Sequence, residues 1–546
     1  MRHGRRWLFA GVVVATLGAA SARAQDCTGL SRSPLAEASV AAATVPAGEH
    51  RPAGAAAPLR GLPAFCRVEG VIQPVPGSRI GFELWLPATG WNGRLLMVGN
   101  GGYSSAIAFA EMAGRLREGW AVVGTDTGHA GDDPDFAAGR PESIADWGHR
   151  AVHETAVRAK ALVERFYGGA PRRSYFAGCS TGGHQAFAEA QRYPEDFDGI
   201  LAGAPGHNRT RLNAAFLWQY LRNHEPRNDG AQIIPAAKLP MISRAVLAAC
   251  RPNNGTLSGG LPTDAFLNDP TDCAFDPGTL QCRAGDGEDC LTAPQVEALR
   301  AMYRGAHDPR TGQRIAFPFP HGSENSGQVV PTLPGWSLYW ADPRDARQPA
   351  RVNFWRVWAF DDPRWSWWTF DFGRDMARVD DRLAGTVNAM SPDLERFRAR
   401  GGRLLQYHGL ADPVVPFLDS ISYAERVVAL RAERGGLSPG AARAEAGSFH
   451  RLFLVPGMEH CRGGLGPDRF DALPDLVRWV EEGVAPERIV AAHVVGERAT
   501  FSRPLCPFPQ QARYRGEGDP NDAASFECRA DGRPREYPRL GADHLR

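Results

Sequence analysis

Gly178-Cys179-Ser180-Thr181-Gly182 reads G-x-S-x-G, and its surroundings give the pentapeptide chemical meaning: a β-rich run at 174–177 precedes it and a helical run from about 182 to 192 follows. A sharp strand-to-helix turn lifts a serine hydroxyl clear of a sheet edge. Glycines relieve the crowding there, and the helix N-terminus favours negative charge developing above it. Ser180 is the candidate nucleophile, weighed against an ordinary turn serine.

A serine hydroxyl is a poor nucleophile at neutral pH, so a base must take its proton and an acid must hold that base in one tautomer. With this strand-turn-helix context, acid and histidine are expected downstream, in that order. His408-Gly409-Leu410-Ala411-Asp412-Pro413 follows a β-rich run at 403–407, and Gly457-Met458-Glu459-His460-Cys461 follows one at 451–455. Both sit at strand ends, where open α/β sheets build sites. Asp412 is the candidate acid and His460 the candidate base. His129, His184 and His408 are read mainly as hydrogen-bonded structure, with pocket lining as the alternative, and Glu459 as a surface carboxylate.

Acyl transfer also needs donors aimed at the oxyanion. The Thr181 N–H is one. The loop Gly99-Asn100-Gly101-Gly102-Tyr103, after the β-rich run at 94–98, offers Gly101 or Gly102 as the other. A plain turn or a phosphate loop is the alternative, but no G-x-x-x-x-G-K-[ST] match supports nucleotide binding. Cys179 precedes the nucleophile and Cys461 follows the base. A bond between them would tie the two loops together; two separate thiols are the alternative.

The elements that must position these residues alternate between strand and helix. Runs at 94–98 and 120–124 lead to a helix from about 149 to 166, with Val152, Ala156, Ala159, Val163 and Phe166 near a 3.6-residue period. A further run at 199–202 completes the first part. This rhythm predicts an α/β fold with a mostly parallel sheet covered by helices. It breaks after Pro205 into a stretch rich in Pro, Trp and Cys and resumes near 392, so residues 206–391 are read as an inserted lid between core parts 25–205 and 392–546. Within it, Thr292-Ala293-Pro294-Gln295 is a capping-box signal.

Composition narrows the partners. Lys+Arg 62 against Asp+Glu 61 in 546 residues leaves a formal charge of +1 and no field to attract nucleic acid or an anionic membrane. Arg2, Arg5 and Arg6, the apolar run 7–20 and Ala22-Arg23-Ala24 form a signal peptide over 1–24, predicting cleavage before Gln25 and export to periplasm or medium. No later segment reads as transmembrane. Ten cysteines, an even number without a CxxC pair, read as disulfides in an exported chain. Counting alone does not pair them, although Cys282 and Cys290 are near neighbours.

At these residues the chain resembles the tannase and feruloyl esterase family, which includes mono(hydroxyethyl) terephthalate hydrolases. The resemblance covers most of the mature chain. It rests on residues 178–183, on His408-Gly409 with Asp412, on residues 457–461, and on Cys273-Ala274-Phe275-Asp276-Pro277 followed by Leu280 and Cys282. It implies an α/β-hydrolase fold with the triad Ser180, Asp412 and His460. It also implies the bonds Cys179–Cys461, Cys27–Cys66, Cys250–Cys273, Cys282–Cys290 and Cys506–Cys528, and a lid holding much of the acyl-side pocket. Family members commonly carry a lid calcium loop; here its three acidic positions are Arg251, Asn254 and Ser258, so calcium is expected to be lost or very weak. No other cofactor is expected.

The function this implies is an exported serine esterase acting on aromatic carboxylic esters, small or attached to a plant polymer. Trp336, Trp340, Trp355, Trp358, Phe360, Trp365, Trp367, Trp368 and Phe370 could face a planar acyl group, with a packed core as the default for each. Arg356 and Arg364 could meet a substrate carboxylate. The competing readings are a terephthalate half-ester hydrolase, a serine peptidase on the same scaffold, and a secreted binding protein without catalysis.

Overall fold

A computed structural model describes residues 26–32, 34–227, 230–255, 259–325, 335–530 and 540. The expected signal peptide at 1–24, with its cleavage point, lies outside the described residues. The central sheet has nine strands: β1 (Ala38–Val45), β2 (Phe65–Ile72), β3 (Ile80–Pro87), β4 (Arg94–Val98), β5 (Ala121–Thr125), β6 (Arg173–Cys179), β7 (Gly199–Gly203), β8 (Arg403–Gly409) and β9 (His450–Val455). They lie in the order β1-β2-β3-β5-β4-β6-β7-β8-β9. From β5 to β9 every neighbouring pair is parallel. β1, β2 and β3 add an antiparallel edge.

The parallel strands are apolar on both faces because helices cover both. Leu95, Met97, Phe176, Ile200, Ala202 and Leu404 pack with helices α2 (Ala151–Tyr167) and α3 (Thr181–Arg192). The alternate residues Leu96, Val98, Tyr175, Leu201 and Leu405 pack with α1 (Phe109–Arg117) and with a helix at 473–482. The α2 stripe that was expected from its periodicity is buried, and Gly168, left-handed at φ 77°, ends the helix.

Between β7 and β8 the chain leaves the sheet. This insert contains α4 (Arg209–Asn223), α5 (Leu239–Cys250) and α6 (Ala293–Arg304), which contribute most of a core outside the sheet. Trp336, Trp340, Trp355, Trp358 and Phe370 are buried in that core, together with Tyr103 and Trp147 from the first part of the chain. The α6 start has its capping box, with the Gln295 side chain accepting from the Thr292 N–H. After β8, α7 (Phe417–Gly435) returns the chain to β9. A two-stranded ribbon over Ile489–Val495 and Arg498–Leu505 then leads to a second small ribbon, which Cys506–Cys528 staples.

Parallel register brings Cys179 opposite Gly203, Gly203 opposite Tyr407, and Gly409 opposite Val455. The loops after β6, β8 and β9 therefore emerge at one edge of the sheet, the arrangement of an α/β hydrolase.

Candidate active site

Ser180 stands between β6 and α3 at φ 64°, ψ −117°, a conformation that costs a non-glycine residue about 1–3 kcal/mol. Three bonds hold it there: its N–H donates to Gly203 O at 3.0 Å, and its carbonyl accepts from His184 N at 3.0 Å and Gly206 N at 3.2 Å. Gly183 permits the tight turn, since a Cβ there would lie 2.4 Å from Gly203 O.

Asp412 is fully buried and accepts from every side. Its Oδ1 takes the N–H groups of Val414 and Val415 at 2.7 and 2.9 Å, and its Oδ2 takes His460 Nδ1 at 2.7 Å. His408 Nε2 lies 3.3 Å from the same Oδ2. Burial alone would raise this carboxyl; the facing histidine charge and the histidine donors outweigh it and hold Asp412 well below the usual carboxylate range. An ionised Asp412 requires the His460 proton on Nδ1, which leaves Nε2 free to act as a base.

Behind His408 runs a chain of buried donors. His408 Nδ1 lies 2.7 Å from Ser420 Oγ, Gln406 Nε2 donates to that Oγ at 2.7 Å, and His450 Nε2 lies 2.9 Å from Gln406 Oε1. With His408 protonated on Nε2, Ser420 donates to Nδ1 and the Nε2 hydrogen goes to Val415 O at 3.0 Å, beside the Asp412 carboxylate. His408, read from sequence as structural or as pocket lining, is thus a support of the acid. The signal was its position at the end of β8, four residues before Asp412.

The two loops are fastened to each other. A Cβ on Gly409 would lie 2.3 Å from Met458 O, and Ala411 N donates to the same carbonyl at 2.9 Å. Cys179 and Cys461 are bonded, with Cα atoms 6.0 Å apart across 282 residues of sequence, so the neighbours of Ser180 and His460 share one covalent link. The other bonds are Cys27–Cys66, Cys250–Cys273, Cys282–Cys290 and Cys506–Cys528. Glu459, expected as a surface carboxylate, is buried instead. The turn folds back so that Glu459 N donates to Gly463 O, and Phe266 of the insert packs over Gly457.

The glycine loop after β4 is anchored to α3. Asn100 N donates to Gln185 Oε1 at 3.1 Å, Gln185 Nε2 returns a bond to Asn100 Oδ1 at 3.2 Å, and Gly182 N donates to Asn100 O at 2.7 Å. His129, stacked on Phe136, reaches Tyr103 O from behind at 2.7 Å. Among the described residues the N–H groups of Thr181, Gly101 and Gly102 have no acceptor. Thr181 directly follows Ser180, and its hydroxyl donates to Gly102 O at 2.7 Å. His184 is buried against Trp147, and burial holds its pKa well below the usual histidine range.

Arg356 is engaged with Gln348 and the Trp367 ring, and Arg364 is exposed. The residues at the calcium-loop positions do not fit that ion. Arg251 is a cation. Asn254 Nδ2 donates to Phe266 O and its Oδ1 accepts from Asn268 N, while nearby Asp264 is paired with Arg503 at 2.9 Å. Ser258 lies outside the described residues.

A family profile described as tannase and feruloyl esterase matches residues 66–529. An uncharacterized esterase of Xanthomonas campestris pv. campestris is 38% identical over 94% of this chain and 92% of its own. A mono(2-hydroxyethyl) terephthalate hydrolase of Piscinibacter sakaiensis is 34% identical over 88% of this chain and 87% of its own. The crystal structure of feruloyl esterase B from Aspergillus oryzae superposes with a TM-score of 0.80 at 27% identity, covering 92% of this chain and all of that one.

Proposed function

This chain belongs to the tannase and feruloyl esterase family and is an esterase, and from that premise we propose that it is an exported serine hydrolase of aromatic carboxylic esters, working through an acyl-enzyme on Ser180. The observation that carries the mechanism is the joining of a strained elbow serine to the His460–Asp412 pair through Cys179–Cys461. Ser180 Oγ attacks the ester carbonyl while His460 Nε2 takes its proton. The tetrahedral oxyanion receives the N–H groups of Thr181 and of Gly101 or Gly102. His460 returns the proton to the leaving alcohol oxygen as the C–O bond breaks, then takes one from water as it attacks the acyl carbonyl, and gives that proton to Ser180 Oγ as the acyl–Oγ bond breaks and the acid leaves.

The aromatic acyl group is inferred from relatives named for terephthalate and ferulate esters. Residues 206–391 are the lid in this reading, which the packing of their aromatic core on Tyr103 and Trp147 supports. Export is supported by the pairing of all ten cysteines, which requires an oxidising compartment. Among the described residues no helix is long and apolar enough to cross a membrane.

The test is acid release from methyl ferulate, methyl gallate and mono(2-hydroxyethyl) terephthalate, with Ser180→Ala alongside. Turnover of at least one ester that the substitution abolishes is the expected result, and their kcat/KM ranking names the acyl group. Ligand binding without turnover of any of them would replace the esterase with a binding protein.

A further inference from the structure

Arg209 opens α4, the first helix after the sheet is left, and its side chain turns back to the nucleophile elbow. It is 4% exposed. Its Nη2 donates to Thr181 Oγ1 at 2.9 Å, and that hydroxyl in turn donates to Gly102 O at 2.7 Å. The hydrogens run in one direction, from guanidinium to hydroxyl to carbonyl. The guanidinium is wedged against Trp147 and Tyr103, with ring centroids 4.9 and 5.6 Å away. Asn213 fixes the start of the helix by donating to both Arg209 O and Tyr103 Oη.

The charge is the informative feature. The neighbouring Arg351, also over Tyr103, is bonded to the Asp132 carbonyl and lies 3.6 Å from its carboxylate. Arg209 has no carboxylate partner among the described residues. A buried, unneutralised cation is expensive to keep, and packing alone would be served as well by an apolar side chain. A cation kept there interacts more strongly with negative charge that develops in the transition state than with the neutral ground state, which lowers the barrier.

We propose that Arg209 is a positioning residue for the oxyanion site: through the Thr181 hydroxyl it clamps the nucleophile elbow to the glycine loop, so that both backbone donor segments are set by one buried cation. This rests on the acyl-enzyme reading above. Thr181 thus has two parts, its N–H toward the oxyanion and its hydroxyl as the link in the clamp. The insert also gains a direct hold on the catalytic edge, since the clamping side chain comes from its first helix.

The decisive variants are Thr181→Val, which keeps the shape and removes the hydroxyl, and Thr181→Ser, which restores the hydroxyl. Arg209→Lys tests the cation itself. The readouts are kcat, KM and the affinity of an aryl boronic acid, which forms an anionic tetrahedral adduct with the serine. Thr181→Val should lower kcat about 10- to 100-fold, less than the loss from deleting a direct oxyanion donor, with KM within about twofold and boronate affinity falling in parallel. Thr181→Ser should stay within about threefold of the native enzyme. A native enzyme that turns over through Ser180 beside a Thr181→Val variant with unchanged kcat would overturn the clamp alone, as would equal losses in Thr181→Val and Thr181→Ser. Absence of Ser180-dependent turnover in the native protein would instead remove the acyl-enzyme reading, and the clamp with it.

Discussion

Three donors converge on the Asp412 carboxylate, two backbone N–H groups and the His460 ring, and this sets how the residue responds to substitution. Asparagine at 412 presents an amide where His460 Nδ1 needs an acceptor, favouring the wrong tautomer. We expect Asp412→Asn to lower kcat about 10⁴-fold while leaving KM nearly unchanged. The same substitution has a pH signature. Because the folded-state pKa is depressed, the carboxylate contributes stability above its unfolded value of about 3.9, and that stability is lost as pH falls through the folded value. The variant should therefore melt below the native protein at pH 7, and the gap should narrow toward pH 3, which differential scanning calorimetry would follow. Ser180, Asp412 and His460 could be picked out in the sequence because a short motif in each case sits directly after an apolar run. Arg209 and the donors behind His408 could not. Arg209 has no motif around it, and its partners Thr181 and Tyr103 lie 28 and 106 residues away.

Among the elements, the strands from 94 to 203 and the helices α2 and α3 were legible, the strands as short apolar runs between turn residues and α2 by its 3.6-residue stripe. The three antiparallel strands before them were not. β1, Ala38–Val45, is built of small residues, and only every second or third side chain is more than marginally covered, so its alternation carries little hydrophobic contrast. α7 shows what tertiary context adds. Asp419, in its first turn, is buried beneath Asn208 of the insert, and burial pushes its pKa up to about 7 against the smaller lowering by Asn208 and Arg211. The folded state then holds a proton that the unfolded state releases between pH 4 and 7, so stability falls as pH rises through that window. Asp419→Asn removes this dependence and should raise Tm at pH 8 by about 2–4 °C, with the difference shrinking by pH 5. The loop after α5 supports a separate expectation. With Arg251 and Asn254 at the former acidic positions and Asp264 engaged by Arg503, a chelator should leave Tm within about a degree of its value in millimolar calcium. A rise of several degrees on adding calcium would contradict it.

At the scale of the molecule, the chain leaves the sheet between β7 and β8, where the sequence rhythm breaks after Pro205, for a segment whose aromatic core is shared with Tyr103 and Trp147. The packing of that core on Tyr103 and Trp147 was hidden, because it joins residues whose local patterns belong to different units. One bond reshapes the topology of the whole. Cys179 and Cys461 bracket the insert, and the remaining disulfides span 8 to 39 residues, so the backbone from 179 to 461 forms a ring closed by sulfur. A protease that cuts once inside the ring, for example after the exposed Arg310, opens it without dividing the molecule. Nicked protein should run as one band on a non-reducing gel and as two after reduction, and it should keep most of its esterase activity until a reductant is added. The catalytic halves are thereby insulated from breaks in the segment that covers them, and new loops or sequences grafted into the ring would leave the two halves tethered even where the graft is cleaved.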